Sequence, residues 1–223
     1  AYAERLGMLI GRLHAVGARR QAVHRVHISG DHYVRDNLRW LEDHETVPVH
    51  LRTRYFEAAN FIADTADALL EGKETLRLHG DMHLGNLLLR DGLFNILDFD
   101  DMVVGPPVQD IWLVLPGTDA YAMRLREAFL EGYERFRDFD RSSLALIEPL
   151  RGLRLVHYAT WLARRWHDPI FPKTWPHFTT ERYWDDQTAD LEDLVIDIKE
   201  DRGEQPAEDQ AEGLTNSDYF FDM

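Results

Sequence analysis

Residues 78–101 read Leu78-His79-Gly80-Asp81-Met82-His83-Leu84-Gly85-Asn86-Leu87-Leu88-Leu89-Arg90-Asp91-Gly92-Leu93-Phe94-Asn95-Ile96-Leu97-Asp98-Phe99-Asp100-Asp101. Asn86–Arg90 and Leu93–Leu97 are β-prone runs on either side of Asp91-Gly92. Asp-Gly between two apolar runs is a strong hairpin signal, because a type I′ turn needs positive φ at both central positions. A hairpin folds back on itself, so Asn86 at its entry and Asp98 at its exit share one open end. Asp81 lies five residues before Asn86, on the loop that feeds the hairpin. A carboxylate, a carboxamide oxygen and a second carboxylate thus meet at one cleft. Hard oxygen ligands of this kind suit Mg²⁺, which takes its remaining ligands from water and phosphates. Asp81, set back from such an ion, is placed to orient a hydroxyl and accept its proton.

The chain around this hairpin reads as helical. Tyr2, Leu6, Leu9, Ile10, Leu13 and Val16 recur at helical spacing before Gly17. The pattern predicts further helices over 34–43, 53–71, 107–115, 119–137, 143–166 and 180–199. Pro149 should sit in a first turn or at a kink. Leu76–His79 reads as a short extended segment. The fold class expected is mainly α with a small β-hairpin.

Composition removes several function classes. The 223 residues carry 25 Lys+Arg against 40 Asp+Glu, a net charge of −15. Such a balance disfavours nucleic acid and anionic membranes as partners. With no Cys, disulfides, thiolate metal sites and a Cys nucleophile are excluded. No apolar run approaches the roughly 20 residues a membrane helix needs. The opening residues lack a basic stretch followed by an apolar one, so no leader peptide is read there and a cytoplasmic protein is expected. Residues 200–223 hold eight acids and one base, Arg202, and read as an acidic, mobile tail ending in Tyr219-Phe220-Phe221.

The arrangement resembles the catalytic loop and metal-binding segment of the protein-kinase-like (α+β) fold, where Asp, Asn and a strand-borne Asp serve phosphoryl transfer. His79-Gly80-Asp81 in place of His-Arg-Asp is similar to the aminoglycoside phosphotransferase and choline kinase branch. Within it the likeness is to bacterial stress-response kinases. Gly105-Pro106-Pro107-Val108-Gln109-Asp110-Ile111-Trp112, the run Tyr158–Trp166 and Arg182-Tyr183-Trp184 carry it further, over roughly residues 1–199. The resemblance implies a C-terminal lobe, with catalytic loop 79–86 and metal-binding segment 97–101. It implies Asp81 as base, Asn86 and Asp98 as the residues that bind Mg²⁺ and ATP, and His79 and Asp110 as supports of the loop. His83 and Asp100 are possible additional ligands. The implied reaction moves the γ-phosphate of ATP to a hydroxyl, Ser/Thr of a protein first and a small molecule second.

Gly80 stands where protein kinases carry the Arg that pairs with a phosphorylated activation loop, so that regulation is not expected. Asp98 and Asp110 are separated by eleven residues, too few for a long peptide-binding segment. Lys73, Lys173 and Lys199 are the only lysines, and none lies on a strand followed by a helix with a Glu partner. The expectation is a lobe whose N-lobe partner belongs to the same protein, with the first helix just after the hinge; alone, it need not be active.

Two rival classes compete. His79, Asp81 and His83 could ligate Zn²⁺ or Mn²⁺ in a metallohydrolase, with His14, His24, His27, His32, His44 or His50 completing the set, though none has paired metal-ligand spacing. A non-catalytic scaffold is disfavoured by the intact Asp81, Asn86 and Asp98. The aromatic run Trp161, Trp166, Phe171, Trp175, Phe178, Tyr183 and Trp184 reads as core packing before substrate platform. Arg164-Arg165 reads as a pair neutralised by the surplus acids.

Overall fold

The computed structural model describes residues 2–117 and 119–203. They form two compact units, one built from residues 2–28 and 72–147, the other from residues 29–71 and 148–203.

In the first unit, α1 (Tyr2–Gly17) buries Leu6, Ile10 and His14 against α5 (Ala120–Tyr133). The two helices approach through glycines. A Cβ on Gly7 would overlap the Phe129 carbonyl, one on Gly11 the Tyr133 carbonyl, and one on Gly132 the Glu4 carbonyl. Asp119 caps α5 by accepting the N–H groups of Tyr121 and Ala122. Between these helices in sequence lie four strands: β1 (Leu76–Leu78), β2 (Leu87–Arg90), β3 (Leu93–Ile96) and β4 (Val103–Gly105). The β2–β3 pair is the expected hairpin, antiparallel with Leu87 opposite Ile96 and Arg90 opposite Leu93. Its turn residues Asp91 and Gly92 have φ of 51° and 74°, as type I′ geometry demands. Tyr2 meets Phe94 edge to face and Arg5 donates to the Gly92 carbonyl, so the start of α1 clasps the hairpin.

A second strand pair was not foreseen. β1 runs antiparallel to β4, and residues 26–28 flank β4 on its other side through Ile28 N–H to Val104 O and Val104 N–H to Val26 O. After it comes α4 (Val108–Val114), buried at all seven positions.

In the second unit, α3 (Val49–Leu70) packs along α8 (Glu181–Asp201), with Tyr55 edge to face on Trp184, and Ala59, Ile62, Leu191 and Ile198 are buried. The helix expected over 34–43 is a π-helical turn, Asp31–Arg35, running into α2 (Asp36–Asp43). Arg35 pairs with Asp31, Asp64 and Asp67, and Asp67 also accepts the Gly30 N–H, so one guanidinium fastens the π turn to α3. α6 (Ile147–Arg165) carries Pro149 in its first turn, where the missing N–H costs nothing. A short α7 (Ile170–Thr174) was not anticipated.

Boundaries differ in physically readable ways. α3 begins four residues before the expected 53 because Pro48 opens it, and α5 stops at Tyr133 rather than 137. α8 extends two residues into the expected tail; residues 204–223 lie outside the described ones. The aromatic run is mixed: Phe171, Phe178 and Trp184 are buried, while Trp161, Trp166 and Trp175 are partly open.

Adding a methyl at the α1–α5 crossing should force the helices apart. Gly132→Ala is expected to cost about 1–3 kcal/mol, read from urea denaturation; an unchanged midpoint would show that the contact is slack. A second expectation concerns pH. Burial, with His32, Arg154, Arg164 and Arg165 nearby, pushes His157 down to about 4. Between about 6.5 and 4 the unfolded chain binds a proton that the folded one refuses, so stability should fall as pH falls through that window. The loss should be roughly 1–3 kcal/mol and should vanish in His157→Gln, checked by urea melts at each pH.

Candidate active site

The loop between β1 and β2 is held by a carboxylate from α4. Asp110 is fully buried. Its Oδ2 accepts the His79 N–H and its Oδ1 the Gly80 N–H, each at 2.9 Å. His14 Nε2, on α1, lies 2.9 Å from the same Oδ2, and His14 Nδ1 lies 2.9 Å from the Tyr133 hydroxyl on α5. Because Asp110 can only accept, Nε2 carries the His14 proton and Nδ1 takes the hydroxyl hydrogen. Burial pushes the ionisation of Tyr133 up, which keeps that hydroxyl a donor. Gln109 donates to the Gly80 carbonyl and accepts from the Trp112 indole. The α1–α5 crossing, α4 and the loop are therefore one buried polar network.

Gly80 has φ of 87°, and a side chain there would strike the Asp101 carbonyl. His79 is buried and bridges the two ends of the stretch: Nδ1 faces the Asp81 N–H at 3.3 Å, and Nε2 lies 2.8 Å from the Leu97 carbonyl. Leu97 N–H in turn donates to Asn86 O at 2.9 Å. The entry and exit of the hairpin are thus bonded together next to Asp98.

Asn86 Nδ2 donates to the Asp81 carbonyl at 2.8 Å and lies 3.4 Å from Asp81 Oδ2. With its NH₂ committed, the amide keeps its oxygen for another partner. His83 accepts the Gly85 N–H on Nδ1 at 3.0 Å, so its proton sits on Nε2, 3.4 Å from Asp81 Oδ2. Asp98 is exposed and adopts φ of 57°, left-handed backbone that Asp tolerates better than most residues. Asn86 thus offers a carboxamide oxygen and Asp98 a carboxylate at the same end of the hairpin, hard-oxygen donors of the kind that Mg²⁺ takes.

Asp81, Asn86, His79, His83 and Asp98 are brought together. Asp100, like Asp98, has an exposed side chain, and its carbonyl accepts from Arg25 at 2.8 Å. The metallohydrolase set is not assembled, since among the described residues no three His, Cys, Asp or Glu side chains converge on a metal position. Both His79 nitrogens are already engaged, and His14 serves Asp110 instead. Sequence reasoning missed His14, Tyr133, Gln109 and Arg25. The signal for His14 was its place on the apolar stripe of α1, one turn after Ile10, where a polar residue needs a buried partner.

Asp110→Asn presents an NH₂ where three N–H groups converge. It should cost about 2–4 kcal/mol in urea unfolding, against about 1 kcal/mol for Tyr133→Phe. Equal, small losses would mean that the loop is held by something other than this carboxylate.

The geometry can be set beside known proteins. The family model described as "Phosphotransferase enzyme family" (APH) matches residues 1–147. Stress response kinase A of Escherichia coli is 42% identical over 187 residues, covering 83% of this chain and 57% of the relative. "Serine/threonine protein kinase RdoA" of Salmonella typhimurium is 40% identical over 188 residues, with the same coverages of 83% and 57%. The chain thus spans 57% of the length of these curated relatives. Among solved structures, a microcompartment-associated aminopropanol kinase has a TM-score of 0.60 at 19% identity, covering 88% of this chain and 62% of that one. A spectinomycin phosphotransferase, in complex with ADP and spectinomycin, has a TM-score of 0.56 at 15% identity, covering 86% and 64%. These structures speak for the fold. The mainly helical architecture with its small antiparallel strand pairs is that of part of this kinase-like fold, and the chain belongs to the APH phosphotransferase enzyme family.

Proposed function

We propose that this chain is the C-terminal lobe of an ATP-dependent kinase that phosphorylates Ser/Thr of proteins. The observation that carries the reading is the joining of Asp81, Asn86 and Asp98 at the open end of the β2–β3 hairpin. The naming of the curated relatives as stress response kinase A and Ser/Thr kinase supports the acceptor.

In this reading Asp81 orients the acceptor hydroxyl and takes its proton as the oxygen attacks the γ-phosphorus. The new oxygen–phosphorus bond forms, the bond to the bridging oxygen breaks, and ADP leaves. Asn86 and His83 flank Asp81 Oδ2 and fix the carboxylate's rotamer, each at 3.4 Å. Asn86 Oδ1 and Asp98 would hold Mg²⁺, which when bound neutralises charge on the phosphates. His79 and Asp110 keep the loop's backbone in register with the hairpin exit. The remaining ATP contacts fall to the part of the full-length protein corresponding to the rest of its relatives. No helix among the described residues is long and apolar enough to cross a membrane.

The test incubates the full-length protein with γ-labelled ATP, Mg²⁺ and protein substrates. Asp81→Asn should lower turnover by roughly 10²–10⁴-fold with ATP affinity nearly unchanged; near-normal turnover would sink the base assignment. Asp98→Ala should weaken Mg·ATP binding at least about tenfold, checked by calorimetry with and without the ion. Label found on a small hydroxyl compound and on no protein would replace the acceptor class.

A further inference from the structure

The second unit carries a cationic face that the catalytic reading leaves unused. Arg164 and Arg165 end α6 and are exposed. In a chain with a net charge of −15, arginines are expected to find carboxylates, and Arg35, Arg54, Arg135, Arg137 and Arg141 all do. Among the described residues these two do not. Arg164 lies over the Trp40 ring, 5.2 Å from its centroid, and its Nη2 faces the Asn37 carboxamide oxygen at 3.4 Å. Arg165 lies over the Trp161 ring at 4.5 Å, with Nη1 3.5 Å from the Trp161 carbonyl. The nearby Asp168 spends a carboxylate oxygen on the Ile170 N–H at the start of α7.

The platforms are themselves braced. Trp40 stacks on His44 at 3.9 Å between centroids, and Trp161 is flanked by Tyr158 at 5.6 Å and Phe171 at 5.2 Å. A guanidinium over an indole is held there by the ring's negative face and presents a planar fork of N–H donors. That geometry suits the two oxygens of a carboxylate. His157, with Asn37 Nδ2 3.3 Å from its Nδ1, sits among Arg154, Arg164 and Arg165. The C-terminal end of α6 supplies only about half a negative charge, less than two guanidinium groups carry.

We propose that Arg164 and Arg165, stacked on Trp40 and Trp161, form a docking site for a carboxylate-rich segment of a partner protein. Charge complementarity selects an acidic segment. A polypeptide rather than a nucleic acid is favoured because the site offers two cations on an otherwise acidic chain, not a basic track along which a phosphate backbone could run.

The proposal stands apart from the kinase reading and is tested by binding. The probe is a fluorescein-labelled oligoglutamate peptide, with oligoglutamine of equal length as control, titrated by the full-length protein. Oligoglutamate should bind at least about tenfold more tightly than the control, and Arg164→Gln/Arg165→Gln should remove that preference while circular dichroism shows an unchanged melting midpoint. Arg164→Lys/Arg165→Lys, which keeps charge but not the planar fork, should fall between. The Asp81→Asn variant should bind the peptide normally, so failure of the catalytic assignment and failure of this one are separable. No binding, equal binding of oligoglutamine, or undiminished binding by the double Gln variant would overturn the proposal. So would tighter binding of a single-stranded oligonucleotide. Changing Glu204, Glu208, Asp209, Glu212, Asp218 and Asp222 to amides provides the last arm: a tenfold gain in peptide affinity there would give the site to the chain's own acidic end and overturn the partner assignment.

Discussion

A single buried carboxylate organises the site. Asp110 accepts N–H groups from His79 and Gly80 and faces His14. An ionised group with no water around it is tolerable only when its lone pairs are filled. The requirement runs both ways: the loop needs an acceptor for two N–H groups that no strand or helix satisfies, and the carboxylate needs donors from two separate segments, the loop and α1. α1 and α5 pack at glycine contact, and Tyr133 of α5 meets the other ring nitrogen of His14. Loop conformation is thus tied to the packing of helices remote in sequence.

Local rules are broken where the chemistry is gathered. Asp98 holds left-handed backbone at the hairpin exit, at a cost of about 1 kcal/mol for a residue with a Cβ. Its neighbours offset this: Leu97 donates to Asn86 and accepts from His79. The strained residue is therefore pinned from both sides of the hairpin's open end. Its carboxylate is exposed while its backbone is fixed, which suits the ion-binding role proposed for it.

The hairpin was legible because its signal is local: Asp91-Gly92 states the turn type, and the turn sets the register that joins Asn86 to Leu97. β4 was not, since three residues, Val103–Gly105, carry no periodicity and pair with β1 across a gap of more than twenty. α7 escaped for the same reason of length, five residues with Pro169 before it and Pro172 inside it. The polar network behind the loop was half legible. Asp110 stood in a quotable motif, whereas His14 and Tyr133 sat on apolar faces whose spacing predicts burial but names no partner. Arg164 and Arg165 read as surface ion pairs because composition counts charges; it does not say that two indoles would take the place of carboxylates.

The turn at Gly80 also bears on how such a site can change over generations. An Arg codon is one base away from many Gly codons, yet a side chain at position 80 would meet the Asp101 carbonyl and a backbone angle of 87° that L-residues avoid. The variant that would hand this loop a phosphate-sensing arginine is close in mutational distance and far in conformational distance. Control by a phosphorylated loop is thus not one step away from this protein: the segment after Asp98 would have to be rebuilt first, and until then every intermediate would carry a distorted loop at Gly80.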